Sequence, residues 1–182
     1  KLAMWGSHRD RRLLDSVADR FPSLAKEQVE RKLTIIEGFQ LRAKRHKEKK
    51  VFVPELVGKH ELLPKMIRGH GPVFAFPENA LTAISPDRAY LRTRGGKRPI
   101  EICYPPHVVV QASRNYSVFS ERFIVVPPRQ IGIAGPTGQA DFLRVLSLYL
   151  SSDFARYHQY LMAPQWGVFV SVSTLDTLKA LP

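Results

Sequence analysis

Phe119-Ser120-Glu121-Arg122-Phe123-Ile124-Val125-Val126 and, after Pro127-Pro128-Arg129, Gln130-Ile131-Gly132-Ile133-Ala134-Gly135 open the part of the chain whose reading decides the fold. Both are short apolar runs rich in β-branched residues and bounded by turn formers, so Phe123–Val126 and Gln130–Ile133 read as strands. Residues 141–162 then change period. Phe142, Val145, Leu146, Tyr149, Leu150, Phe154, Tyr157 and Leu161 recur at helical spacing and predict one long helix with a broad apolar stripe. Val168–Val172 reads as a closing strand. Ser173 or Thr174 caps a last short helix through Leu178.

Upstream, the same alternation of turns and short apolar runs predicts strands at Val73–Phe76, Ala89–Arg92, Pro99–Cys103 and Val108–Val110. The first 37 residues differ. Leu13, Leu14, Val17 and Ala18 share a face of a helix over residues 8–20, which Phe21-Pro22 ends. Ser23 is the expected cap of a second helix over 24–37, with Leu24, Val29, Leu33 and Ile36 inward and its end near Gly38. Residues 39–50 read as an exposed loop, and residues 56–68 as a short helix or an irregular segment broken by Pro64. The chain therefore divides into a helical, basic segment over 1–50 and an α+β domain over 51–182.

Composition narrows the function. An apolar fraction of 44% suits a globular protein. The single cysteine, Cys103, allows no internal disulfide and suits a reducing, cytoplasmic setting. No apolar run approaches the ~20 residues of a membrane helix. The start, without Met, reads as a piece of a longer chain.

The net charge is +12, and residues 130–182 are balanced, so all the excess lies before them. Such an excess predicts a polyanionic partner, because cations that neutralise phosphates release condensed counterions. A membrane surface fits less well, since the basic stretches lack interleaved large apolar residues.

Two basic runs stand out. Arg42, Lys44, Arg45 and Lys47 lie in the loop that extends through His46 to Lys50. Arg92, Arg94, Lys97 and Arg98 flank Gly95-Gly96, which reads as a hairpin tip between the strands ending at Arg92 and starting at Pro99. Both runs are candidates for phosphate contacts. Arg114, Asn115 and Tyr116, after the Val108–Val110 strand, are candidates for base reading, since Arg pairs with guanine and Asn with adenine in the major groove.

The order strand, Gly-rich turn, helix with Ser151-Ser152, then Gln165-Trp166-Gly167 resembles the DNA-reading region of bacterial N-6 adenine DNA methylases. Ala3-Met4-Trp5-Gly6-Ser7-His8-Arg9-Asp10-Arg11-Arg12-Leu13-Leu14 resembles the passage from catalytic domain to recognition region in such enzymes. The resemblance covers residues 1–20 and about 118–182. It implies an α+β fold: a small, curved, mostly antiparallel sheet packed by one long C-terminal helix, with an N-terminal helical pair. It also implies that Ser151, Ser152, Trp166 and Gly167 are structural.

The function so implied is duplex DNA binding and target recognition within a restriction-modification system. The partner domain is the catalytic methyltransferase domain of the same parent chain, which uses S-adenosylmethionine. A restriction or specificity subunit is a further partner in keeping with the resemblance. This chain itself is expected to have no catalytic residues, no metal and no cofactor. Such methylases grip the target adenine with Asn/Asp-Pro-Pro-aromatic. The nearest strings here, Tyr104-Pro105-Pro106-His107 and Val126-Pro127-Pro128-Arg129, lack the carboxamide or carboxylate and the stacking ring. Asp87 with Glu101-Ile102-Cys103 imitates a nuclease pattern but has Cys where Lys is needed.

The alternative is a stand-alone RNA- or ribonucleoprotein-binding domain. It requires aromatics bare on a sheet face. Phe74, Phe76, Phe119 and Phe123 are the candidates, but their apolar neighbours point to the core.

Overall fold

A computed structural model describes residues 6–47, 49–67, 73–92, 99–112, 116–162 and 174–182. Helix α1 (His8–Arg20) starts at a reciprocal cap. The Asp10 amide donates to Ser7 Oγ at 3.4 Å and the Ser7 amide donates to Asp10 Oδ2 at 2.6 Å. Helix α2 (Leu24–Glu30) follows its Ser23 cap as expected but is shorter than its sequence suggests. It ends before Lys32, whose φ of 56° breaks the helical path. Thr34–Glu37 is instead strand β1, because β-branched Thr34, Ile35 and Ile36 gain a ladder partner. Val29, expected inward, is 77% exposed.

The remaining strands are β2 (Leu41–Arg42), β3 (Lys50–Phe52), β4 (His60–Leu62), β5 (Leu81–Ala83), β6 (Tyr90–Arg92), β7 (His107–Gln111), β8 (Ser117–Ser120), β9 (Ile124–Val125) and β10 (Gln130–Ala134). They form three small sheets in the orders β1-β10-β7-β8, β2-β6-β3 and β5-β4-β9. All pairs are antiparallel except β4 with β9. The class is α+β, with three sheets where one was expected. Val73–Phe76 forms no strand, and Pro99–Cys103 is a 3-10 helix rather than the return arm of a hairpin. Strands β2 and β3 both pair with β6.

The four-stranded sheet has core on both faces. Ile35, Val108, Val110, Ile131 and Ile133 pack with helix α3 (Ala140–Leu150) through Leu143, Leu146 and Leu150. Val109 and Val118 pack oppositely, with Ile102, Leu62 and Val125. Burial on both sides explains why Val108-Val109-Val110 is apolar without alternation. The same arrangement explains the 3-10 turn at Pro99–Cys103, which lays Ile102 over β10 at Gly132. A Cβ on Gly132 would stand 2.6 Å from Ile102 Cβ. At Gly38 the chain crosses from the main sheet towards β2, and a Cβ there would overlap the Pro127 carbonyl oxygen.

The expected long helix is two helices, α3 and α4 (Asp153–Met162). Serine hydroxyls divide them. Ser151 Oγ donates to the Ser147 carbonyl at 3.0 Å, and Ser152 Oγ accepts the Ala155 amide at 3.2 Å as a new cap. Helix α3 turns Leu143, Leu146 and Leu150 to the core, which leaves Val145, expected in the stripe, 65% exposed. Thr174 caps α5 (Leu175–Lys179), as expected, through the Thr177 amide. The Leu24 amide donates to the Leu181 carbonyl at 2.7 Å and ties the chain end to α2. The expected strand at 168–172, with Trp166 and Gly167, lies outside the described residues.

His107 is fully buried at the start of β7. Its Nδ1 lies 2.6 Å from the Ile102 carbonyl oxygen and its Nε2 3.1 Å from that of Arg122. A neutral ring can donate to only one of these two acceptors.

Two stability outcomes are expected. Gly132→Ala forces Ile102 aside and lowers the unfolding free energy by roughly 1–3 kcal/mol in urea titration; an unchanged midpoint would show that Ile102 yields freely. Burial holds the His107 pKa below its ordinary 6.5, against the pull of its two carbonyls. Its contribution is present above pH 6.5 and is lost as pH falls through the folded-state value. Thermal melts should therefore drop as pH falls from about 7.5 to about 5.5, and His107→Gln should flatten that slope.

Candidate nucleic-acid interface

The β2-β6-β3 sheet brings Arg92, the first residue of the second basic run, beside the first run, about fifty residues away in sequence. β6 is central, with β2 on one side and β3 on the other. Its register aligns Leu41, Leu91 and Val51 in one cross-strand row and Arg42, Tyr90 and Phe52 in the next. Residues opposite each other in a sheet share a face, and that face alternates along each strand. Leu41 and Leu91 are buried in the core. The opposite face therefore carries Arg42, Tyr90 and Phe52, followed by the pair Lys50 and Arg92.

Lys50 stands directly across from Arg92 in the ladder. The Lys50 ammonium donates to the His46 carbonyl and lies 5.8 Å from the Tyr90 ring centroid. Phe52 and Tyr90 hold their rings 5.2 Å apart at 51°. Between β2 and β3, Lys44, Arg45 and Lys47 are exposed on a turn. That turn is anchored: the Lys44 amide donates to the Asp87 carbonyl at 2.6 Å, and the His46 amide to the Ala43 carbonyl at 3.0 Å. The expected loose loop is a fixed, basic projection beside the sheet.

Elsewhere on the surface, Arg31 pairs with Glu27, Arg122 with Glu78, and Arg144 with Glu121 and Asp141. Arg88, in the turn before β6, is engaged by Glu61 of β4 at 2.8 Å. Burial raises the Glu61 carboxyl pKa, and the Arg88 guanidinium opposes that rise.

Of the residues singled out from sequence, Arg42, Lys44, Arg45, Lys47 and Arg92 come together on this side. Arg94, Lys97 and Arg98 lie outside the described residues, as do Arg114 and Asn115. Tyr116 is buried, and its hydroxyl donates to Gln130 Oε1 at 2.6 Å, which removes it as a base-reading side chain. Sequence reasoning missed Phe52 and Tyr90, and took Lys50 only as the end of the basic run. Their signal was the alternation in Lys50-Val51-Phe52 and Tyr90-Leu91-Arg92.

The aromatics weighed for stacking behave differently. Phe76 packs edge-on against Tyr116 at 5.9 Å, and Phe123 against Tyr104 at 5.0 Å. Phe119 takes the Arg144 guanidinium over its ring at 4.8 Å. Phe74, expected in the core, is 60% exposed.

Cys103 is buried, and that burial pushes its thiol up to about 12, so it is no nucleophile at neutral pH. Among the described residues no group of three His, Cys, Asp or Glu side chains is arranged to hold a metal ion. No helix among them is long and apolar enough to cross a membrane.

Comparison with protein-family models, with curated proteins and with solved structures gives no match to this chain.

Arg88→Ala leaves the Glu61 carboxylate without its partner in a largely buried place. The expected loss is roughly 1–3 kcal/mol in denaturant unfolding at neutral pH. Adding Glu61→Gln should recover part of it, and a double variant no better than the single would refute the coupling.

Proposed function

We propose that this chain binds duplex DNA and contributes target recognition to an adenine-N6 DNA methyltransferase whose catalytic domain lies outside it. The observation that carries the reading is the pairing of β2 and β3 on the two sides of β6, which puts Arg42, Lys50 and Arg92 on one sheet face beside the turn of Lys44, Arg45 and Lys47. Arg42, Lys44, Arg45, Lys47 and Arg92 would neutralise phosphates, joined by Arg94, Lys97 and Arg98 beyond β6. Such contacts fix position and orientation on the duplex without reading sequence. Base reading is assigned to Arg114 and Asn115. S-adenosylmethionine would supply the methyl group in the catalytic domain, while this chain's residues bind and orient the DNA.

The C-terminal helices carry no net charge excess and suit a protein neighbour rather than DNA. That neighbour would be the catalytic domain of the same parent chain, or a restriction or specificity subunit. The RNA-binding reading keeps one observation in its favour, the outward Phe52 and Tyr90 rings beside Lys50.

Fluorescence anisotropy with a random-sequence duplex across a salt series tests the main reading. Affinity should fall steeply with salt. The triple variant Lys44→Gln, Arg45→Gln, Lys47→Gln should make the log–log slope shallower by roughly two to three, at about 0.9 per lost phosphate contact. Its melting temperature should stay unchanged, because all three side chains are exposed. Salt-insensitive binding, or an unaltered slope in the variant, would reject the interface.

A further inference from the structure

We infer that the outward face of the β2-β6-β3 sheet seats one unpaired nucleobase on Phe52, with Lys50 and Arg92 holding the adjoining phosphates. The inference rests on the nucleic-acid reading above and adds the form of nucleic acid preferred. That form is a strand presenting an unstacked base, rather than an unbroken duplex.

Phe52 is 43% exposed. Exposed rings occur elsewhere, at Phe21, Phe74 and Tyr104 among others. Phe52 differs from the first two in having a second ring against it and a cation beside that ring. Tyr104 has the same neighbours in Phe123 and Lys59, but its hydroxyl donates to the Glu55 carboxylate at 3.2 Å, a negative charge that repels phosphate. Its place is also fixed by the ladder. Phe52 pairs with Tyr90, and Lys50, two residues earlier on the same strand, pairs with Arg92. Period two puts Phe52 and Lys50 on one face, about 7 Å apart along the strand. Tyr90 leans on Phe52 at 51° and limits the ring's freedom, so less order is lost when a flat partner arrives.

The chemistry of the seat selects its occupant. A bare phenyl ring offers a π-face that every base can stack upon, without a sequence code. The Lys50 ammonium has three donors, one of them engaged by the His46 carbonyl, which leaves capacity for a phosphate. An unbroken duplex keeps its bases stacked inside and offers nothing for Phe52. A nucleotide outside the stack presents a flat face and flanking negative charge together.

The test compares four labelled ligands of equal length at one salt concentration. They are an intact duplex, the same duplex with one unpaired 2-aminopurine, the DNA single strand and the RNA single strand. The unpaired-base duplex should bind about tenfold tighter than the intact one, within what one base–aromatic stack supplies, and its 2-aminopurine fluorescence should be quenched. Phe52→Leu should erase the preference and the quenching while intact-duplex affinity stays within about twofold, since the phosphate contacts remain. Phe52→Trp should preserve both, which separates stacking from mere bulk. An unchanged melting temperature for each variant shows that the fold is intact.

Equal affinity for the two duplexes, with steep salt dependence, overturns this inference and leaves the DNA-binding reading standing. A preference that survives Phe52→Leu overturns it by placing the seat elsewhere. Tightest binding to the RNA strand, lost in Phe52→Leu, supports the stacking seat and rejects DNA as its source. No binding to any ligand overturns both proposals.

Discussion

The core strands β7 and β10 are apolar on both faces, and everything else is arranged around covering them. A sheet buried on one side needs one partner layer, whereas Val108, Val109 and Val110 in succession need two. Helix α3 supplies one layer through Leu143, Leu146 and Leu150. Two three-stranded sheets and the 3-10 turn at Pro99–Cys103 supply the other. Gly132 marks how tight this second layer is, because Ile102 occupies the space of the missing side chain.

The small sheets then inherit a division of labour. Each must present an apolar face inward, so Leu41 and Leu91 are spent on the core. Alternation forces their neighbours Arg42, Tyr90, Phe52, Lys50 and Arg92 to the other face. The candidate interface is thus a consequence of how the core is covered.

Legibility in the sequence follows the range of the interactions. The caps at Ser23 and Thr174 were readable because a hydroxyl and an amide three residues away decide them locally. So were β6, β7, β9 and β10, whose β-branched or aromatic runs lie between turn formers. Residues 24–37 misled, because the helical spacing of Leu24, Leu33 and Ile36 coexists with a β-branched run. Pairing with β10 decided between them. Residues 141–162 misled for a similar reason: the apolar stripe is continuous, yet the Ser151-Ser152 hydroxyls capture the backbone. Tyr116 read as an exposed loop residue and lies in the core, because Gln130 waits there for its hydroxyl.

By itself the sequence determined the positive charge and its absence from the last 53 residues, the α+β character, the helix starts and the identity of the basic runs. These depend on composition or on neighbours within a few residues. Only the tertiary structure decided that Arg42, Lys50 and Arg92 share a sheet, and that Phe52 and Tyr90 stand with them. It also decided that Tyr116 does not. The physical reason is register: which residues face outward together is set by pairing between segments some fifty positions apart. No local pattern in either segment contains that information.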